Sequence, residues 1–599
     1  MRFGRISKAV GAAAAAVLIL SGCTGTPSSV STSSGTSDGA VGGKATVAET
    51  NAFNSFNPST GPGSADINSK IAYATHSGFN YVDNQLNVVK NDKFGKYEKV
   101  SDDPLTIKYT INDGVKWSDG APVDANDLML AWAAQSGYFN DASVDSGGKV
   151  VKGTQYFDFG GAALGNGSAL ATTDLPEIGD NGQSLTLKYA KPFADWEIAF
   201  GSPVDVPAHV VAQKAGLKDA AALSALFKSL PRGNPDAPVA PNTDLNKVAQ
   251  YWNSGFDTKT MPKDTSVFLS NGPYIVTSMV PEQSLTLSRN TDYKWGPAAK
   301  LDSITVRFMA DVSAQVTALK NGEVDIISPQ PTADTTAALQ ALAGQSIAFE
   351  QFSRLSYDHL DLTFSGVFAD QNVRQAFLKT IPRQEIVRKT VQKTDAFAKP
   401  LESEVILPEQ PGYADTIKDN GSSAFAGVDI EGAKRLLNGA TPTVRIMYSK
   451  ANTNRAEAFT LIAQSASQAG FKIIDDGLGV HWSQHLGDGS YDAAIFGWNK
   501  AGVGVSAVPE LFRTGGASNY NNFSNAQADK LMDQLIVTDN ESKQVELLLA
   551  LDKIIWGSDY GLPLFQYPRV VAHDAAVLGV EPMPGLTGVW WNYWQWARK

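Results

Sequence analysis

The chain has 599 residues, 43% of them apolar and 19% charged, with a formal net charge of −11. Such a length exceeds what one hydrophobic core supports, so two or three packed units are expected. The acidic balance excludes a nucleic-acid-binding surface, which needs clustered Lys and Arg to displace counterions from phosphates.

Arg2, Arg5 and Lys8 precede an apolar run from Ala9 to Leu20. The run is shorter than the ~20 residues a membrane-spanning helix needs, and it has the length and flanks of a signal-peptide core. It ends in Leu20-Ser21-Gly22-Cys23, which resembles a bacterial lipobox. There, small residues admit a signal peptidase to the bond before the cysteine, whose sulfur then carries diacylglycerol. Cys23 is the only cysteine, so lipidation is assigned to it and no disulfide can form within the mature chain. Residues 1–22 are read as the signal peptide. Residues 23–43, almost wholly Ser, Thr, Gly, Pro and Ala, are read as a lipidated, flexible tether. No later run is apolar over ~18 residues, so nothing else is expected to enter the bilayer. The protein should sit outside the cytoplasm, tied to the cell membrane but not crossing it, at the cell surface or on the periplasmic side.

Leu105 to Ile111 alternates apolar and polar residues, as a half-buried strand does. Turns at Asp113-Gly114 and Asp119-Gly120 follow. Asp124 then reads as a helix N-cap with Asp127 completing a capping box, and Leu128, Ala131, Trp132 and Gln135 fall along roughly one stripe of that helix. Leu185, Leu187, Tyr189 and Ile304, Val306, Phe308 mark two further strands. The tracts 231–243 and 403–423, rich in Pro, Gly and Asn, read as surface insertions. Ser524 to Gln527 reads as a second capping box before a helix carrying Ala528, Leu531, Met532 and Leu535 on one face. Strands and helices interleave without a βαβ rhythm, so an α/β protein with mixed sheets is expected.

Four segments, in order, carry a resemblance. The first is Ile111-Asn-Asp-Gly-Val-Lys-Trp-Ser-Asp-Gly-Ala-Pro-Val-Asp-Ala-Asn-Asp127. The second is Ser270-Asn271-Gly272-Pro273-Tyr274, with Ser288-Arg289-Asn290, Tyr293 and Asn321-Gly322-Glu323-Val324-Asp325 behind it. The third is Val373-Arg374-Gln375-Ala376-Phe377 with Pro382-Arg383, and the fourth is Tyr491 to Trp498 with Asn519-Tyr520 and Pro563-Leu564. In this order they resemble the extracytoplasmic solute-binding proteins of the peptide/nickel type, family 5, whose members serve ABC importers. Pro382 departs from the Asp usual in that family. The resemblance implies a two-lobed, periplasmic-binding-protein-like α/β fold with mixed sheets and three domains, of the type II, dipeptide/oligopeptide-binding class. Domain I would comprise residues 44–68, 269–354 and 563–599, domain II residues 69–268 and domain III residues 355–562, with ligand held between lobes that close by a hinge motion.

In such proteins an extended peptide pairs its backbone with strand edges. The resemblance therefore implies ligand contacts at Ser59, Thr60 and Gly61, at Tyr357, and at Gly497, Trp498, Asn499, Lys500 and Ala501. Gly497 would let backbone approach closely. Trp498 would wall the cleft, although large aromatics dominate cores equally. Many peptide-binding members place an Asp where Ala501 stands, to pair with the ligand's ammonium group. Here Asp358, Asp361 or Glu510 would have to serve, or the ligand lacks a readable amino terminus. Lys500 could attract a carboxylate, although a loop lysine is ordinarily just solvated. The aromatic tail Trp590 to Trp596 is expected to pack in the core as the closing strand of domain I.

No phosphate-binding GxxxxGK run occurs, so ATP hydrolysis belongs to a separate subunit. His481 and His485 have i, i+4 spacing without the Glu of HExxH or a third ligand, and solvent-facing residues explain them. Gly160 to Gly167 lacks the strand–helix setting of a dinucleotide loop. No enzyme activity, cofactor or metal site is expected. The expected partners are a peptide ligand, permease subunits of an ABC transporter with its ATPases, and the membrane through the lipid; the protein should be a monomer. An oligosaccharide or metal chelate in the same cleft is the alternative ligand, and a lipid-anchored hydrolase the alternative class.

Overall fold

The computed structural model describes residues 40–144, 150–160, 169–201, 203–479, 482–500 and 502–599. The signal peptide, Cys23 and most of the tether, residues 161–168, His481 and Ala501 lie outside these residues.

The strands that place the site are β1 (Lys44–Glu49), β2 (Gly95–Asp102), β3 (Leu105–Ile111), β4 (Glu177–Gly179), β5 (Ser184–Lys188), β6 (Tyr274–Val280), β7 (Ser284–Arg289), β8 (Ser303–Phe308), β9 (Ile326–Ile327), β10 (Ile347–Leu362), β11 (Thr443–Ser449), β12 (Lys472–Leu478), β13 (Ala493–Asn499) and β14 (Gly561–Asp574). Ten of them form one sheet in the order β6-β7-β8-β1-β9-β14-β10-β13-β11-β12, while β2-β3-β5-β4 form a separate antiparallel sheet. The large sheet is mixed. β1 runs parallel to β8 and β9, and β11 runs parallel to β12 and β13. The alternation read in β3 is real: Leu105, Ile107, Tyr109 and Ile111 are buried and the residues between them only partly so.

β10 and β14 join the two lobes. Ile347 to Ser353 pairs with Pro568 to Asp574, and Tyr357 to Asp361 pairs with Gly561 to Gln566. Between these ladders Arg354, Leu355 and Ser356 stand opposite Tyr567 alone. Extra residues on one strand bend and twist a pair locally, so the ribbon changes direction there. On one side of this crossing a core gathers Ile67, Ile71, Tyr109, Trp117, Trp132, Ile304 and Trp590; on the other, a second core gathers Leu360, Phe377, Ile446, Ile462, Ile495 and Leu562.

Helix α1 (Asp66–Thr75) and helix α2 (Ala125–Ser136) both contribute to the first core, and α2 opens as read: the Asp124 side chain accepts from backbone, and Asp127 reaches back to accept from the Asp124 N–H. The buried surface of α2 is wider than the expected stripe and displaced from it: Leu128 and Trp132 are buried, but Ala131 and Gln135 only partly so. Leu128, Met129, Leu130, Trp132, Ala133 and Ala134 are all buried, because the helix lies inside the lobe rather than on it.

Three expectations need correction. The helix Ala526–Leu535 is capped by Asn525, whose Oδ1 accepts from Gln527 and Ala528, and Ser524 instead bonds Thr514. Residues 403–407 are buried rather than a surface insertion. The aromatic tail does pack in the core, but Gly588–Gln595 is 3-10 helix, not a strand. Asn592 (φ −126°, ψ 27°) interrupts the helical turns, and Trp590 packs against both Tyr593 and Trp596, with ring centroids 6.3 and 5.3 Å away. Trp590 Nε1 donates to Glu49 Oε1 at 2.7 Å, tying this tail to β1.

Candidate functional site

The backbone at the bulge is satisfied by segments far apart in the chain. Lys500 N–H donates to the Leu355 carbonyl at 2.7 Å, Leu355 N–H to the Pro584 carbonyl at 3.2 Å, and Gln566 Nε2 to the Arg354 carbonyl at 3.0 Å. Between them lies a pocket of about 10 Å³, room for about one water, lined by Arg354 to Ser356, Asn499, Lys500 and Pro584 to Leu586. A larger ligand reaching this floor must part the walls.

One wall is the segment that follows β13. Gly502, at φ +104°, passes so close to the Leu86 and Leu355 side chains that a Cβ would lie 3.3 and 3.1 Å from them. Farther on, Asp195 of the first lobe receives Val505 N–H at 2.9 and 3.0 Å and Ser506 N–H at 2.8 Å. Beside it Ala194 N–H donates to the Ile536 carbonyl at 2.7 Å, Lys99 pairs with Asp539 at 2.6 Å, and Ala194 packs against Val505, Leu535 and Leu547. These contacts clasp the lobes shut. Nothing in the local pattern around Asp195 singled it out; its role exists only in the closed arrangement.

The expected ligand residues divide sharply. Thr60 is 0% exposed and its hydroxyl accepts from Gly63 N–H at 2.9 Å. Ser59 Oγ donates to Asp205 at 3.1 Å, and Gly61 N–H donates to the Asp158 carbonyl at 3.1 Å. Burial lifts the Asp205 carboxyl to about 6. Thr60 thus holds its own loop, and Ser59 ties that loop to Asp205. Tyr357 is fully buried and bonds the Glu404 carbonyl at 3.3 Å. At Gly497 a Cβ would fall 2.4 Å from Asp358 Oδ1 and 2.8 Å from the Tyr357 carbonyl, so the close approach there is made by the protein itself.

Asp358 cannot receive a ligand amine. It is 0% exposed and saturated by Arg455 Nη2 at 2.9 Å, Arg455 Nε at 3.0 Å and the Tyr567 hydroxyl at 2.7 Å. Asp361 is buried as well, whereas Glu510 is exposed, with its carboxyl raised by desolvation. Lys500 is not a solvated loop lysine: its ammonium bonds the Val405 carbonyl. Burial lowers it to about 8, against the opposing charges of Asp552 and Glu404. His485 is exposed and pairs with Asp488 at 2.9 Å.

Of the expected ligand residues, Trp498 keeps part of its surface, and Asn499 and Gly61 are exposed. Trp498 is half-buried and stacks between Tyr520, with ring centroids 6.0 Å apart, and His359, at 6.2 Å. β11 pairs with β13 only from Ala493 to Ile495, so among the described residues Phe496 to Asn499 have a ladder partner on the β10 side alone. That leaves a short strand edge open on the β11 side.

Below Trp498 the inward face of β10 presents Tyr357, His359 and Asp361 at period 2. His359 is held near 3 by burial and by the Arg455 charge. Burial pushes the carboxyls of Asp361 and Glu404 up, the latter also through the Asp361 and Asp552 charges.

Residues 93–520 match the bacterial extracellular solute-binding proteins, family 5. An uncharacterized lipoprotein of Mycobacterium tuberculosis is 27% identical over 563 residues, covering 90% of this chain and 91% of its own length. The oligopeptide-binding protein OppA of Mycobacterium bovis is 24% identical over 502 residues, covering 81% and 73%. Among solved structures, the periplasmic EDTA-binding protein EppA superposes with a TM-score of 0.74 at 20% identity, covering 96% of this chain and 99% of EppA. No helix among the described residues is long and apolar enough to cross a membrane. With two cores joined by one large mixed sheet, this chain belongs to the family 5 bacterial extracellular solute-binding proteins.

Proposed function

We propose that the protein is a lipid-anchored receptor that captures oligopeptides between its lobes and hands them to the permease of an ABC importer. The observation that carries the peptide reading is the open β13 edge at Phe496 to Asn499, where Asn499 is exposed and Trp498 half-buried. An extended peptide can continue the ladder there through its main chain, with affinity largely indifferent to side chains. Of the carboxylates considered for the ligand's amino terminus, Asp358 is committed and Asp361 buried, which leaves the exposed Glu510, backbone pairing and Trp498 to supply recognition. The likeness to OppA supports the same ligand class.

Division into domain I (44–68, 269–354 and the tail), domain II (69–268) and domain III is part of this proposal. The change of partners at Arg354 to Ser356 supports it, and in β14 it favours a boundary at Tyr567 over Pro563. Anchoring at Cys23 rests on the lipobox and is supported by the lipoprotein relatives. Cys23→Ser should move the protein from the membrane fraction to the soluble fraction; retention in the membrane rejects the anchor.

Calorimetric titration of unfolded-and-refolded protein with short peptides tests the ligand. One site per chain is expected, and no heat at any peptide length rejects peptides. The likeness to EppA favours a metal chelate as the second reading, and titration with metal–chelator complexes in the same calorimeter separates the two.

A further inference from the structure

Behind Trp498, three side chains from two distant segments converge inside the second lobe. His359 and Asp361 lie two residues apart on the inward face of β10, and Glu404 comes from the buried stretch 403–407. One ligand atom from each lies within 4.8 Å of the others, and His359 Nε2 is 3.6 Å from Asp361 Oδ2. His359 is 0% exposed, yet neither ring nitrogen has a hydrogen-bond partner among the described residues, and Asp361 Oδ1 has none either. Buried polar atoms are ordinarily paired, so these donors await something.

We propose that His359, Asp361 and Glu404 form a binding site for one divalent transition-metal ion, of the zinc class. The donor set is imidazole plus two carboxylates, which suits zinc, cobalt or nickel rather than the all-oxygen cages of calcium and magnesium. Metal bonds of ~2.0–2.1 Å at tetrahedral angles separate ligand atoms by ~3.3 Å, close to the 3.6 Å between His359 and Asp361. Two carboxylates balance the ion's charge, and Phe496, with its ring 4.2 Å from that of His359, walls the site from solvent. Three protein ligands leave a fourth position open. Since His359 also stacks on Trp498, the ion would fix the ring that backs the cleft wall. This site is separate from any metal chelate carried as cargo, and it does not depend on the ligand being a peptide.

The test uses the chelator-stripped mature protein with Zn²⁺ in a calorimeter and with Co²⁺ followed by its visible absorption. One equivalent of each is expected, with the intense bands of low-coordinate cobalt. His359→Ala and Glu404→Gln should each weaken binding at least 10-fold, and His485→Ala, at an exposed histidine, should not. Absence of binding, or equal binding by all variants, overturns the proposal. If the His359 and Glu404 variants fail to fold, anomalous diffraction at the zinc edge from soaked wild-type crystals decides: a peak among the three side chains sustains the site, and peaks only elsewhere, or none, overturn it.

Discussion

Asp195→Ala should open the molecule. In the closed arrangement the Asp195 carboxylate accepts from the amides of Val505 and Ser506, at 2.8 to 3.0 Å. When the lobes part, water takes over all three groups, so the substitution acts mainly on the closed state. Hydrogen bonds to a charged partner contribute about 1.5–3 kcal/mol each, and removing the acceptor leaves buried amides unsatisfied. The Ala194 and Lys99 contacts persist, so a net loss of about 3 kcal/mol is reasonable, which is about 100-fold in the open-to-closed ratio. Asp195→Asn keeps an acceptor oxygen and should fall between. The assay is pulsed electron–electron spin resonance between labels at Val100→Cys and Val537→Cys in protein lacking Cys23. Both positions are exposed, at 55% and 46%, and they flank the Lys99–Asp539 pair across the cleft. The distance distribution should lengthen and broaden in Asp195→Ala, and peptide affinity should fall with it. Coincident distributions for wild type and variant would refute the clasp.

Gly497→Ala should destabilise the second lobe by about 1–3 kcal/mol, as overpacking does, because the new methyl meets the Tyr357 carbonyl and Asp358, whose neighbours hold them in place. A lowered urea midpoint checks this, and an unchanged one contradicts it. His76 predicts a pH dependence. It is buried between the carbonyls of Ala72 and Leu269, and burial lowers it from 6.5 to about 4. The folded state therefore favours the neutral ring, so its contribution is complete above pH 6.5 and is lost as pH falls toward 4, by about 3 kcal/mol. His76→Gln should flatten that part of the stability profile relative to wild type; parallel profiles would contradict the assignment. Trp498→Ala should weaken peptide binding about 10-fold, and unchanged peptide affinity would contradict its place in the site.

Features set by neighbouring residues were legible in the sequence. The Asp124–Asp127 box, the alternation of β3 and the buried aromatic tail follow from short-range geometry, and the ordered motifs pointed to the family. What was not legible depends on chain segments meeting from afar. β10 and β14 are more than 200 residues apart, and nothing in either marks the bulge at Arg354. The tract around Glu404 reads as a polar insertion because its flanks are rich in turn formers, yet Val405 to Leu407 draws it inward. His359 was overlooked because a lone histidine in an apolar strand carries no spacing signal, and its partner lies 45 residues on. Gly497 was read for the right property, close approach, with the wrong neighbour.

The account rests on the cleft holding a peptide. Mass spectrometry of small molecules released by unfolding the purified, membrane-extracted protein tests this most directly. We expect peptides of mixed sequence, about one per chain, to be released from wild type and to be depleted in Trp498→Ala. Release of a sugar or a metal chelate, or of no peptide from protein that also fails to bind peptides after refolding, would contradict it.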